Sequence, residues 1–177
     1  MKKVEIGDLR SKITSVFYTK TYQLFDYIRE VQKQIGPCNL RICTFSNSEE
    51  FLRRMLVFKT RGRFMEMEIV SDRRGLTKTM KLASLMRNVY SRSYVAANHG
   101  KMVLMYNDDF KVSILTSQNQ TRGSRYEVHT ITNDPVIYAS LSESWDNIIC
   151  HATNIDNILA RKSQRDREAG IVVDSDT

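Results

Sequence analysis

Residues 99–127 read HGKMVLMYNDDFKVSILTSQNQTRGSRYE, and this stretch decides the fold that the sequence predicts. Its middle, Asn107-Asp108-Asp109, is a polar turn signal. On either side of the turn, apolar residues occupy every second position: Val103, Met105, Val112 and Ile114. Alternation with a period of two predicts two strands joined as a hairpin. The side chains of such neighbouring strands lie close together.

Polar residues occur in pairs at the outer ends of this hairpin. His99 and Lys101 are two residues apart, as are Ser117 and Asn119, and Glu127 follows. Because side chains alternate along a strand, each pair is expected to share one face. An imidazole, an amine, a hydroxyl and a carboxamide that converge on one face could hold a phosphate, which the histidine could attack.

These residues resemble the histidine-lysine motif of the phospholipase D superfamily. That motif reads His-x-Lys, four residues, Asp, six residues, then Gly-Ser-x-Asn, with a glutamate soon after. His99-x-Lys101 and Ser117-x-Asn119 match it, and Thr116 replaces the glycine. Glu127 stands where the superfamily has the carboxylate that orients the histidine.

The motif's aspartate is displaced in this chain. The expected position after Lys101 holds Tyr106, whereas Asp109 has the correct spacing to Thr116. The resemblance therefore implies a hairpin about three residues longer than usual, with Asp109 as a substrate-binding residue. Arg122 and Arg125, which follow the motif, are the predicted phosphate contacts.

The resemblance implies an α/β fold, a phospholipase D-like mixed β-sheet sandwiched between α-helices. It also implies a metal-independent phosphodiesterase that needs no cofactor and works through a phosphohistidine intermediate. Such chemistry uses two histidines from two copies of the motif, and this chain has one copy. A homodimer is therefore implied, in which His99 is the nucleophile in one chain and the general acid in the other.

The remaining roles follow from the same resemblance. Lys101 supplies a cation to the phosphate, and Ser117 and Asn119 donate hydrogen bonds to it. Glu127 holds the far ring nitrogen of His99 and fixes its tautomer.

Each assignment has a simpler alternative. A histidine beside a glycine is often a surface turn residue, and residues 117–123 could form an ordinary polar turn. Asp109 could serve only to form the turn. Glu127 lies between Tyr126 and Val128, so it could equally face solvent from a strand.

Composition limits the partners and the compartment. The chain has 177 residues, 41% of them hydrophobic, which is typical of one globular domain. Its net charge of +7 favours polyanions such as nucleic acid, although solubility alone could explain it. Three cysteines without metal-ligand spacing predict neither a disulfide framework nor a zinc site. Without an apolar run of membrane-spanning length or a secretory signal, we expect a cytoplasmic protein with no membrane contact.

The remaining pattern predicts alternating helices and strands. A domain is expected over residues 1–158, with a polar lead-in at 1–12, and a charged, flexible tail over residues 159–177. Ser46, with Glu49 three residues later, is the predicted cap of the second helix. Helices are predicted at residues 22–35, from 46, at 77–88 and at 135–150; strands are predicted at 40–45, 65–69, 94–96 and 126–131.

Three functions fit these features. The first is a homodimeric nuclease-like phosphodiesterase that acts on DNA or RNA. The second is a catalytically weak or inactive nucleic-acid-binding module that keeps the phosphate-holding residues; the displaced aspartate and Thr116 favour it. The third is a structural protein, for instance of a phage or mobile element, that uses the fold as a scaffold.

Overall fold

The structure, a computed structural model, describes residues 4–121 and 123–168. Its strands are β1 Thr14–Thr19, β2 Cys38–Thr44, β3 Phe64–Asp72, β4 Arg92–Ala96, β5 Met102–Tyr106, β6 Lys111–Thr116, β7 Glu127–Thr132 and β8 Thr153–Asn154. Its α-helices are α1 Leu24–Ile35, α2 Glu49–Thr60, α3 Leu76–Lys81, α4 Ala83–Val89, α5 Pro135–Cys150 and α6 Ile155–Glu168. A 3₁₀ turn, Arg73–Gly75, lies between β3 and α3.

In these described ranges, all the strands belong to one mixed sheet with the order β1-β7-β6-β5-β2-β3-β4-β8. Strand β2 pairs with β3 in parallel and with β5 in antiparallel orientation. The predicted hairpin is formed by β5 and β6, with Met105 opposite Val112. The predicted α/β fold with a mixed sheet between helices is confirmed.

Two hydrophobic cores cover the two faces of the sheet. The larger core takes the apolar sides of α1, α2 and α4, together with alternate residues of the strands, such as Ile42 and Val103. The smaller core forms around Trp145 of α5, which is 1% exposed and packs with Cys43 and Met102. Helices therefore cover both faces of the sheet.

Some helix boundaries follow the sequence and others do not. Helix α5 begins at Pro135, and the Asp134 carboxylate accepts the N–H groups of Val136 and Ile137 as its N-cap. The predicted cap at Ser46 is wrong, because Ser48 caps α2 by accepting the Phe51 N–H at 3.2 Å.

The predicted helix at 77–88 is broken at Leu82, which separates α3 from α4. At the chain start, the polar lead-in is also a wrong prediction. Val4, Ile6 and Leu9 are each 2% exposed or less and belong to the larger core.

The C-terminal helix α6 crosses the boundary that was expected after residue 158 and continues to Glu168. Residues 169–177 of the predicted tail lie outside the described residues. In the described ranges, no helix combines the length and the apolarity needed to cross a bilayer.

The three cysteines are all free thiols in different surroundings. Cys38 and Cys43 are buried, and burial raises the pKa of each thiol to about 12. Cys150, the last residue of α5, is exposed.

A histidine lies in the core beneath the β1 end of the sheet. His129 is fully buried and packs against Tyr27, with ring centroids 4.3 Å apart and the rings tilted by 32°. Its Nδ1 lies 2.9 Å from the Thr116 hydroxyl, while its Nε2 has no hydrogen-bond partner. Burial lowers the pKa of His129 from its usual 6.5 to about 4, so the folded protein holds a neutral ring.

This buried ring predicts a pH dependence of stability. Between pH 6.5 and pH 4, the unfolded chain binds a proton at position 129 that the folded chain does not bind. The free energy of unfolding should therefore fall as the pH drops through this window, by about 3 kcal/mol at most. Urea unfolding at a series of pH values measures this slope.

His129→Gln should flatten that slope, and His151→Gln is the control because it removes an exposed imidazole. An unchanged slope in His129→Gln would contradict the assignment.

Candidate active site

The predicted catalytic residues lie at one end of the sheet, where strands of both directions terminate. The parallel strands β2, β3 and β4 reach this end with their C-termini, and β6 ends here at Thr116. Strands β5 and β7 begin at the same end. In α/β sheets, the carboxyl ends of parallel strands at a change of strand direction are the usual place for a ligand.

His99 and Lys101 lie in the segment between β4 and β5, outside either strand. The prediction that strand alternation aligns them is therefore wrong. A turn positions them instead, since Gly100 N–H donates to Asn98 Oδ1 at 3.0 Å. Lys101 Nζ donates to the His99 carbonyl at 3.1 Å, and the His99 ring is exposed.

Phe45, directly after β2, contacts both His99 and Asn119. Its ring lies edge-on to the His99 ring, with centroids 5.7 Å apart. Its backbone N–H donates to Asn119 Oδ1 at 3.3 Å. The predicted nucleophile, His99, and the Asn119 carboxamide are thus both in contact with one residue that the sequence motif does not contain.

The loop after β6 is anchored by its two glutamines, which alternate with the predicted site residues. Gln118 accepts the Leu24 N–H at 2.6 Å and donates to Gln23 at 2.6 Å, across the start of α1. Gln120 is fully buried and accepts the Tyr90 hydroxyl at 3.2 Å. These buried contacts fix the backbone on either side of Asn119.

Ser117 and Glu127 form a pair of their own. The Ser117 hydroxyl donates to Glu127 Oε2 and accepts the Val128 N–H at 3.0 Å. The bond predicted from Glu127 to the His99 ring is replaced in this structure by the bond to Ser117. The carboxylate lies at the site end of β7, but its described partner is the serine.

The structure separates Asp109 from the other predicted residues. Asp109 lies in the exposed turn between β5 and β6, and its N–H donates to Asn107 Oδ1 at 3.1 Å. This turn is at the opposite end of the hairpin from Lys101, whose carbonyl accepts the Thr116 N–H at 3.1 Å. Asp109 therefore takes part in the turn, as in the simpler alternative, and within one chain it lies apart from His99 and Lys101.

The structure describes one of the two arginines that follow the motif. Arg125 is exposed in the loop before β7, at the site end of the sheet. Arg122 lies outside the described residues.

A buried carboxylate next to the histidine segment was missed by the sequence motif. Asp72 ends β3, is 2% exposed and accepts the Arg74 N–H at 2.7 Å. Burial by itself would raise the pKa of Asp72. The hydrogen bonds from Arg74 and from the backbone N–H of Asn98 outweigh burial, and the pKa is lowered. Asp72 thus holds the residue directly before His99.

Two cavities lie at opposite ends of the sheet. One of about 430 Å³ opens beside Asn119 and is lined on its other sides by Lys20, Arg54 and Ser124, among others. A larger cavity of about 620 Å³ adjoins Glu30 and Phe110 at the far end. We associate the smaller cavity with the site, because it contains Asn119 and the larger one contains no predicted site residue.

Solved structures share this architecture at low sequence identity. Nuc from Salmonella typhimurium, a phospholipase D family member, matches with a TM-score of 0.63 and 17% identity, over 81% of this chain and 98% of Nuc. NucT from Helicobacter pylori matches with a TM-score of 0.61 and 15% identity, over 81% of this chain and 99% of NucT. The chain has the phospholipase D fold.

A phosphatidylserine synthase from Haemophilus influenzae shares the phospholipase D fold with this chain. The TM-score is 0.55 at 14% identity, over 96% of this chain and 49% of the synthase. No protein-family model matches the chain, and no curated protein is significantly similar to it in sequence.

Thr116, in the place of the glycine of the phospholipase D motif, connects this site to the core. Its hydroxyl lies 2.9 Å from His129 Nδ1 and also accepts the Gln118 N–H at 2.9 Å. The replacement therefore supplies a partner for a buried imidazole and fixes the start of the loop that carries Asn119.

No group of three or more His, Cys, Asp or Glu side chains that could hold a metal ion occurs in residues 4–121 and 123–168. The predicted site residues in this part of the chain instead combine one imidazole with amine, amide and hydroxyl donors.

We expect Thr116→Val to destabilise the protein by about 1 to 3 kcal/mol, because it keeps the shape but leaves buried His129 Nδ1 without a partner. Urea unfolding at pH 7 measures the change. Thr130→Val, in the adjacent strand, is the matched control, and an equal loss in both variants would contradict the role of the Thr116–His129 bond.

Proposed function

We propose that this chain is a phosphodiesterase that acts on nucleic acid through a covalent phosphohistidine at His99, in an active site shared by two copies. The proposal rests chiefly on the contact of His99 and Asn119 with the same residue, Phe45, at the carboxyl ends of the parallel strands. The phospholipase D fold and the net charge of +7 support it as well.

In the first step, an imidazole nitrogen of His99 attacks phosphorus. A phosphorus–nitrogen bond forms as the bond to the leaving oxygen breaks, and Lys101 and Asn119 stabilise the charge on the phosphoryl oxygens. The Lys101 ammonium has to turn from the His99 carbonyl to do this, and a flexible four-carbon side chain permits that turn. His99 of the partner subunit protonates the leaving oxygen.

In the second step, water attacks the phosphohistidine, and the phosphorus–nitrogen bond breaks. His99 of the partner subunit, now neutral, accepts the proton of the water. The two roles therefore need a neutral His99 as the nucleophile and a protonated His99 of the partner subunit as the acid at the start of the cycle.

The shared site requires a second copy close to His99, and an exposed apolar surface beside the site supports this arrangement. Tyr18 and Tyr126 are 71% and 57% exposed, and their rings lie 5.2 Å apart. Val128, which pairs with Tyr18 across β1 and β7, is exposed as well. Contiguous apolar side chains that face solvent are typical of protein contact surfaces.

We expect the protein to be a dimer at micromolar concentration, with the two-fold axis near His99. Light scattering coupled to size-exclusion chromatography measures the mass in solution. A monomer over the whole accessible concentration range would contradict the shared active site.

We expect cleavage of a phosphodiester in excess chelator, and its loss in His99→Ala, because that substitution removes the nucleophile and the general acid together. Lys101→Ala should raise the barrier by a few kcal/mol, on the order of the loss of one positioned donor. Glu127→Gln should have a milder effect. The measurement uses bis(p-nitrophenyl) phosphate and single- and double-stranded nucleic acid.

His151→Ala is the matched control for the loss of a histidine. Activity that survives in His99→Ala, or that the chelator abolishes, would overturn this mechanism. If the wild-type chain binds nucleic acid without turnover, the function is that of a binding module. Glu127 accepts a hydrogen bond from Ser117, whereas the mechanism needs this carboxylate to orient the His99 ring. This observation favours the second candidate.

A further inference from the structure

We propose that Arg74 forms a second phosphate subsite, which binds the phosphate next to the one at His99 in a nucleic acid strand. This inference rests on the proposed function and extends it. The motif residues contact one phosphodiester, whereas a second, adjacent subsite would select for a substrate with consecutive phosphates.

The position of the Arg74 side chain is fixed by Asp72. Arg74 Nε donates to Asp72 Oδ1 at 3.2 Å, and Nη2 donates to Oδ2 at 3.4 Å. The carboxylate is only 3% exposed, while the Arg74 side chain is 68% exposed. A cation held in this way loses less conformational freedom when it binds an anion than a free side chain does.

Phe45 places this guanidinium beside the site. The Arg74 guanidinium lies over the Phe45 ring at 5.6 Å from its centroid, and the same ring contacts His99 at 5.7 Å. Gly75 allows the close approach of the two segments, because a Cβ there would lie 2.6 Å from the Phe45 carbonyl oxygen. Arg74 and the candidate nucleophile thus contact the same aromatic ring.

The guanidinium keeps donors for a ligand. It has five N–H groups, and the contacts with Asp72 involve Nε and Nη2. The buried carboxylate lies on the protein side, so an anion from solvent meets the exposed cation first. A planar guanidinium binds phosphate through two parallel hydrogen bonds.

Two arginines of α2 form ion pairs of a different kind, at the surface. Arg53 and Arg54 form ion pairs with Glu49 and Glu50 of the same helix, in which both partners are exposed. In those pairs the carboxylate is exposed together with the guanidinium, so an approaching phosphate also meets the negative charge. Arg74 differs, because its carboxylate partner is buried beneath it.

The spacing favours a neighbouring phosphate over the reacting one. Arg74 and His99 each contact the Phe45 ring, at 5.6 Å and 5.7 Å from its centroid, and the Arg74 guanidinium is tied to Asp72, so we assign it to the next phosphate and not to the one at His99. A nucleic acid strand carries a phosphate at every nucleotide, which supplies a second anion along the same path.

The test compares Arg74→Ala with Arg73→Ala, which removes the same charge one residue away in the same exposed turn. Affinity for a fluorescent single-stranded oligonucleotide is measured by anisotropy over a series of salt concentrations. Arg74→Ala should weaken binding roughly tenfold and lower the salt slope by about one, as the loss of one phosphate contact does. Arg73→Ala should have a clearly smaller effect.

A second comparison uses the number of phosphates in the substrate. The loss of apparent affinity in Arg74→Ala should be several-fold larger for the oligonucleotide than for bis(p-nitrophenyl) phosphate, which has one phosphate. Equal losses for the two substrates would overturn the subsite, because a purely structural effect on His99 would affect both alike.

Arg74→Ala leaves the buried Asp72 carboxylate without its ion-pair partner, which could destabilise the fold. Thermal unfolding is therefore measured for each variant. If Arg74→Ala does not fold, Arg74→Lys carries the test, since lysine keeps the charge but cannot hold Asp72 and phosphate through one planar group. It should lose part of the oligonucleotide affinity, and wild-type affinity would overturn the proposal.

The outcomes separate this inference from the proposed function. Oligonucleotide binding by the wild type, with equal losses in Arg74→Ala and Arg73→Ala, overturns the subsite alone. A specific Arg74 effect without any cleavage supports the subsite and overturns the catalytic step. No binding by the wild type overturns both.

Discussion

The double pairing of β2 is the constraint on which the site depends. On one side β2 runs parallel to β3, and on the other it runs antiparallel to β5. Parallel neighbours bring their carboxyl ends to the same edge, whereas the antiparallel neighbour begins there. Phe45, Asp72 and the segment before β5 therefore meet at one place, although they are distant in sequence.

Buried polar contacts turn this meeting of strand ends into a defined geometry. Asn47 pairs with Gln120 in an isolated bridge, and the Gln120 carbonyl accepts the Ser48 N–H at 2.9 Å. Both bridging residues are 1% exposed or less. Because buried polar groups are costly to leave unpaired, these bonds resist movement of the loop that carries Asn119.

Short-range sequence patterns correctly predicted one hairpin and the start of one helix. Alternation located the hairpin of β5 and β6, and Asp134-Pro135 located the start of α5. Local pattern did not predict the cap at Ser48 or the break at Leu82. The separation of Asp109 from Lys101 follows from the direction of the hairpin strands, which motif spacing does not encode. Motif spacing likewise led to His99 and Asn119, which both contact Phe45, but Phe45 and Asp72 come from other strands and have no signal in the motif.

The distribution of the thiols has a practical consequence for spectroscopy. A maleimide reacts with thiolate, and burial suppresses that form at Cys38 and Cys43, whereas Cys150 is exposed at the end of α5. The native sequence thus offers a single accessible attachment point for a spin label or fluorophore. Two labels in an assembly of identical chains would be related by its symmetry, so one distance distribution would report how the copies are arranged without any engineered cysteine.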